Sequence, residues 1–300
     1  MRTYYDGYRL NPLALLVNLA GKVLKLTPRR FRQLILYLLV VQVQQEISTD
    51  LQTLNKGSEG IDSPFWRNVE FSQLKVKNEV SLGVSQLLGT WESQVQQAIQ
   101  EMGKFDLFID VGADLGLYPV ALLKNGIADS AIAFERLPSS QSRMRKFALS
   151  NEVDVEVRGE FNSSSLLDLT GRIKASARTL WMFDVEGAET DLIDENFLES
   201  LSRISNSSLI IELHPQFSGK EEVAQLVRNL EKFYDVRLVD SSSRSIPAHL
   251  IQHLYDRPDW EVFIALSELR QKWMFWAICT PFSKMTAARA TTIRAWLSNT

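Results

Sequence analysis

The chain has 300 residues, 45% of them hydrophobic and 23% charged, with a formal net charge of -3. This is the composition of an ordinary globular protein with one large domain or one domain with additions, and it offers nucleic acid no global attraction. One cysteine, Cys279, and three histidines exclude an internal disulfide and a cysteine metal cluster, and they suit a reducing compartment.

Residues 1 to about 48 differ from the rest. Leu13, Leu16, Val17, Ala20 and Leu24 fall at helical spacing, as do Phe31, Leu34, Ile35, Leu38 and Leu39 after Pro28. The stretch is basic, with Arg2, Arg9, Lys22, Lys25, Arg29, Arg30 and Arg32 against Asp6 and Glu46. Its apolar run Leu34–Val43 is far short of the roughly 20 residues of a spanning helix, and no signal peptide is evident. A cytoplasmic location is expected, with peripheral membrane contact open to the basic ends. The carboxyl end, with Lys284, Arg289 and Arg294, has the same character. Such helices can lie on anionic membranes, but apolar helix faces more often pack on their own domain or a second copy in a homodimer.

The middle alternates strand and helix. "FDLFIDVG" reads as a strand and "LGLYPVALLKNG" as a helix, its Pro119 tolerable in the first turn. "SAIAFER" is the next strand and "LPSSQSRMRKFALSN" the next helix. "VDVEVRG" and "RTLWMFDVEG" are strands, the second ending in acids. "AETDLIDENFLESL" is a helix, "SSLIIELH" a buried strand and "GKEEVAQLVRNLEKFY" an amphipathic helix. "DVRLVD" and "WMFWAICT" close the set as strands. This alternation predicts an α/β fold with a mostly parallel sheet covered on both faces, and ligands beyond the carboxyl ends of its strands.

Gly112 and Gly116 flank Asp114 after the first of these strands. A dinucleotide fingerprint would carry glycine where Asp114 stands, so that the backbone can approach a pyrophosphate. Asp110 and Asp114 make a poor cradle for a diphosphate and a good one for a ligand with an ammonium group. That argues against a nicotinamide-dependent oxidoreductase. Glu135 ends the second strand, 19 residues after Gly116, where an acid can accept both ribose hydroxyls of an adenosine. Pairing with Arg136 or Arg143 is its structural alternative. Adenosine plus an amino acid describes S-adenosylmethionine.

Asp184, Glu186 and Glu189 cluster in "FDVEGAET". Glu189 suits a helix amino end. Asp184 and Glu186, in an alternating strand, would face one side, there to hold an ammonium group, orient an acceptor hydroxyl or act as base. Paired carboxylates can also bind a divalent cation; with no third ligand evident, no metal is expected. Glu212 and His214 share a face at the end of "IIELHP", where a histidine is a sensible general base. His249 and His253 have the spacing of helical zinc ligands without the glutamate of that motif and read as an exposed helix face or lid.

Together "LLGTWESQVQQAI", "FIDVGADLGLYPVALLKNG", "AFERLPSS", "MFDVEGAET" and "IIELHP" resemble the FkbM-type family of S-adenosylmethionine-dependent methyltransferases, over residues 87 to about 216. The resemblance implies a class I methyltransferase (Rossmann-like) fold: seven strands, mostly parallel, the last hairpin antiparallel, helices on both faces, and here a helical N-terminal extension. It divides the chain into an extension (1–75), a methyltransferase domain (76–282) and a basic C-terminal helix (283–300). It implies O-methylation of a sugar, glycolipid or secondary metabolite, so the partner is a small-molecule or carbohydrate- or lipid-linked acceptor, not nucleic acid. It places Glu92, Asp110, Gly112, Asp114, Gly116, Glu135 and Arg136 at the cofactor, and Asp184, Glu186 and His214 at the chemistry, beside Glu189. Three positions depart from the family: Asp114 where asparagine is common, Met182 where lysine is common, and Arg136 where proline is common. The missing lysine keeps open a non-catalytic module that docks to a membrane or partner. The acceptor pocket is expected from the appended segments, with 55–63 and 241–259 as lids.

Overall fold

In the computed structural model, the described residues are 28, 35, 38, 40, 42, 43, 46, 65–71, 89–204, 206–240, 258–268, 274–282 and 297. Most of the helical extension, the 55–63 stretch, His249, His253, nearly all of 241–259 and the basic tail save Leu297 lie outside them.

The chain runs α1 (Ser93–Met102), β1 (Leu107–Val111), α2 (Leu117–Lys124), β2 (Ala131–Phe134), α3 (Pro138–Ser150), β3 (Val155–Arg158), α4 (Ser163–Arg172) and β4 (Arg178–Phe183). It continues with α5 (Glu189–Leu192), α6 (Glu195–Ser202), β5 (Asn206–Leu213), α7 (Pro215–Ser218), α8 (Lys220–Leu230), β6 (Tyr234–Asp240), α9 (Asp259–Leu266) and β7 (Phe275–Pro281). The strands form one sheet in the order β3-β2-β1-β4-β5-β7-β6. β7 is antiparallel to both β5 and β6, while the pairs from β3 across to β5 are parallel. This is the class I methyltransferase fold, as expected.

The inner parallel strands β1, β2, β4 and β5 are largely apolar on both faces because both faces are covered, while edge strand β3 exposes Glu156. Successive side chains of a strand point oppositely. Ile109, Val111, Trp181, Phe183, Leu209, Ile211 and Leu213 enter one core, and Phe108, Leu180, Met182 and Ile210 enter the other. Leu297 is buried in the first core. Phe65, Trp66, Val69 and Phe71 are buried in the second. That short segment is pinned by Asn151, whose side chain accepts from Glu70 N (2.7 Å) and donates to Glu70 O (3.1 Å).

Three boundaries differ from expectation. β4 stops at Phe183, so Asp184–Gly187 is a turn and not strand. The expected helix from Ala188 to Leu201 is two helices; Asp194 accepts from Phe197 N (2.7 Å) and caps the second, restarting it. The helix after Gly219 ends at Leu230, because Tyr234 already belongs to β6. Helix α4 is an addition to the expected elements; it buries Leu166 and Leu169, and Asn162 starts it by accepting from the N–H groups of Ser164 and Ser165.

Candidate functional site

The site grows from the register of three strands. Asp110 of β1 lies beside Met182 of β4, and Met182 beside Ile210 of β5. Two residues further on come Gly112 and Asp184, each just past its strand, and Glu212, still within β5. The carboxyl ends of β1, β4 and β5 therefore bring Asp110, Asp184 and Glu212 onto one side of the sheet.

The turn after β1 is held tightly. Gly112 and Ala113 donate to Phe134 O (3.0 and 3.1 Å), and Asp184 N donates to Val111 O (3.0 Å). Gly112 has φ 90°, and a Cβ there would lie 1.8 Å from the carbonyl oxygen of Asp184, so only glycine fits. Gly116, at φ 75°, meets Met144 in the same way, with a Cβ 2.4 Å from Met144 Cγ. Gly112 lets the turn after β1 lie against the chain leaving β4, and Gly116 lets the start of α2 lie against α3.

Asp110 is 4% exposed. Burial, and then the charges of Asp184, Glu92 and Glu135, push its carboxyl well above the usual aspartate value. Every charge acting on it is a carboxylate. Glu92 reaches this cluster because it precedes α1 in a left-handed conformation, φ 50°. It is buried, and its Oε2 accepts from the Tyr118 hydroxyl (2.7 Å) while its N–H donates to Glu268 Oε1 (2.8 Å).

Glu135 lies just past β2. Its Oε2 accepts from Asp114 N (3.0 Å) and its Oε1 from Leu137 N (2.7 Å). It thus splints the glycine turn to the start of α3, and its bonded partners are these backbone donors and not Arg136 or Arg143. Asp114 does not join Asp110. It is exposed, has φ 39°, and its Oδ1 accepts from the Ser140 hydroxyl (3.0 Å). Arg136 is exposed.

The turn after β4 builds the second half. Glu186 (φ 52°) and Gly187 (φ 104°) are consecutive left-handed residues, which fold the chain back so that Glu186 and Glu189 approach His214 from different sides. Ser218 Oγ donates to Gly187 O (2.8 Å) and ties the turn to α7. Glu189, 1% exposed, meets His214 Nδ1 at 2.6 Å and also accepts from Gly187 N (3.1 Å). It does far more than complement a helix end. His214 is fully buried. Its Nε2 lies 3.6 Å from Glu186 Oε2, 3.8 Å from Glu212 Oε2 and 3.9 Å from Asp184 Oδ1. Burial alone would lower its pKa, but the Glu189 hydrogen bond and the charges of Glu189, Asp184 and Glu186 outweigh burial and hold it above the usual histidine value.

The predicted residues thus separate into a buried trio (Glu92, Asp110, His214) with half-buried Asp184 and exposed Glu186 beside it, a splint (Gly112, Gly116, Asp114, Glu135) and an exposed outlier, Arg136. Sequence reasoning missed Glu268, which no motif marks. It also gave Tyr118 no role, although Tyr118 follows Gly116 by two residues. Among the described residues, no helix is long and apolar enough to cross a membrane.

No protein-family model and no curated protein matches the chain. Among solved structures it is similar to the M1A22 tRNA methyltransferase TrmK of B. subtilis, at 12% identity and TM-score 0.39 over 63% of this chain and 65% of that one. It is also similar to an rRNA methylase from Streptococcus thermophilus (12%, TM-score 0.42, 63% and 95%). A third is a precorrin-6y C5,15-methyltransferase from Geobacter metallireducens (12%, TM-score 0.41, 62% and 86%). The match spans just under two thirds of the B. subtilis protein. Likenesses this slight carry neither substrate nor chemistry across. The chain has the methyltransferase fold on its own strand order, and its resemblance to the FkbM-type family stands on the motifs alone.

Proposed function

We propose that the protein is an S-adenosylmethionine-dependent methyltransferase of the FkbM type that methylates an acceptor hydroxyl on a sugar, glycolipid or secondary metabolite. The observation that carries this reading is the set of like charges around buried Asp110 at the strand ends: buried Glu92 and half-buried Asp184 and Glu135. Charges of one sign in a buried site disfavour ionisation, and a cationic ligand reverses that. The donor set fits an ammonium and a sulfonium, and it fits a diphosphate badly.

S-adenosylmethionine supplies an electrophilic methyl group, which an acceptor oxygen displaces from sulfur. The chain's part is alignment and proton removal. Asp110 and Glu92 hold the amino-acid end, with the Tyr118 hydroxyl fixing the Glu92 carboxylate. Glu135 keeps two bonds to backbone N–H groups and offers its remaining lone pairs to the ribose. The glycine turn brings backbone close to the ligand. His214, held above its ordinary pKa, suits a partner of carboxylates better than a free base. The acceptor's proton is therefore assigned to the Asp184–Glu186 pair, which His214 Nε2 faces at 3.9 and 3.6 Å.

The test is calorimetric titration with S-adenosylhomocysteine of the wild type, Asp110→Asn and Glu135→Ala. Binding weakened at least about tenfold in both variants supports this placement, a tenfold change being about 1.4 kcal/mol. A folded wild type that does not bind sinks the reading.

A further inference from the structure

We infer that the ends of β4 and β5 form a divalent-cation site, with His214 Nε2, Asp184 and Glu212 as ligands and Glu189 as the group that orients the histidine. It departs from the expectation of no metal, which rested on the want of a third ligand. The tertiary structure supplies two: Glu212 and His214 come from β5 to meet Asp184 from the turn after β4. One ligand atom from each can be chosen so that all lie within 4.8 Å of one another.

An acidic cluster alone would carry nothing. The second observation is the imidazole. His214 is fully buried, its Nδ1 is engaged by Glu189, and its Nε2 has no hydrogen-bond partner although it is aimed into the carboxylates. A buried polar nitrogen left without a hydrogen bond is costly. At 3.6 to 3.9 Å from three carboxylate oxygens, Nε2 is too far for hydrogen bonds. Ligands about 2.1 Å from a shared ion stand roughly 3–4 Å apart, which is this spacing. The Nδ1 side matches as well: a metal-bound histidine usually donates its other N–H to a carboxylate, which fixes the ring and its tautomer. Glu189 does this at 2.6 Å.

One imidazole with two carboxylates is a mixed donor set that suits a first-row divalent ion between the hard and soft extremes, such as Mn2+. Glu186, 3.6 Å from Nε2 and largely exposed, stands at the rim. Resting on the methyl-transfer reading, the ion's role is to bind the acceptor oxygen and lower its pKa, leaving Glu186 to receive the proton. The site itself does not depend on that reading.

The test is Mn2+ titration of the full chain, stripped with chelator, with free Mn2+ followed by electron paramagnetic resonance. The expectation is one tight Mn2+ per chain, weakened at least about tenfold in Glu212→Gln and Asp184→Asn. Glu189→Gln should weaken it roughly 10- to 100-fold through loss of orientation. Pulsed resonance of the wild-type complex should show coupling to an imidazole nitrogen, a readout that needs no variant to fold. S-adenosylhomocysteine binding is measured on the same samples. Mn2+ bound without S-adenosylhomocysteine sustains the metal site and sinks the methyl-transfer reading. No Mn2+ bound by a wild type that binds S-adenosylhomocysteine, Mn2+ without nitrogen coupling, or Mn2+ indifferent to the substitutions overturns the inference.

Discussion

The turns after β1 and after β4 are both acidic, both hinge on glycine and both meet at the carboxyl edge of one sheet, yet they are built differently. After β1, side chains hold backbone: Glu135 accepts two main-chain N–H groups, Asp114 takes a serine hydroxyl, and the glycines exist because neighbours leave no room for a Cβ. After β4, Ser218 and Glu189 also tie backbone, but there side chains face side chains as well: Glu189 grips His214, and His214 faces Asp184, Glu186 and Glu212. A splinted backbone makes a fixed cradle. A ring of titratable groups around an imidazole is a place where protons or a cation are handled.

Substitutions should separate the two. The largest effect is expected from Gly112→Ala, whose Cβ would fall 1.8 Å from a backbone oxygen. It should lower unfolding stability in urea by about 3 kcal/mol or more, and near-normal stability would show that the β1 turn is not rigid. Gly187→Ala, which meets the side chain of Phe217 at 2.6 Å, should cost less.

Asp110→Asn should come next. The folded pKa of Asp110 is raised above its ordinary value of 3.8. Its contribution to stability is thus fully present below that value and is lost as pH rises through the folded pKa. Ligand-free wild type should lose stability over that rise. The asparagine variant should lose less and be more stable at pH 8, by on the order of 1 kcal/mol, while binding S-adenosylhomocysteine more weakly. Thermal melts from pH 5 to 8 decide the sign.

His214 sharpens the other half. Its raised pKa means a contribution present below 6.5 and lost as pH rises through the folded value. In chelator, Glu189→Gln removes the charge and weakens the hydrogen bond that raise it, so the imidazole should titrate at lower pH by NMR. An unmoved titration would show that Glu189 is not its partner in solution. The smallest effect belongs to Arg136→Ala: the residue is exposed, and S-adenosylhomocysteine affinity should change less than about threefold, within the range of ordinary surface substitutions.

The sequence by itself determined the alternation of strand and helix and which residues lie near the strand ends. Apolar runs such as "FIDV" and "LIIEL" alternate with amphipathic helices, and that pattern is local, so strand and helix could be read residue by residue. Gly112 and Gly116 were legible for the same reason, since a left-handed turn leaves its mark in the residue that makes it. Asp110, Asp184 and His214 could be placed at the carboxyl edge because each lies within one residue of a strand's end. The tertiary structure alone decided which of these acids meet. Asp184 reaches Glu212 and His214 because β4 and β5 are neighbours in register, and Glu189 reaches His214 because two left-handed residues reverse the chain between β4 and α5. Asp114, four residues after Asp110 in the same turn, is turned outward to Ser140, while Glu92 and Glu268 arrive from far along the chain. Side-chain direction within a strand follows from its period of two, but contact between strand ends is set by sheet order and turn conformation, which no single stretch of sequence contains.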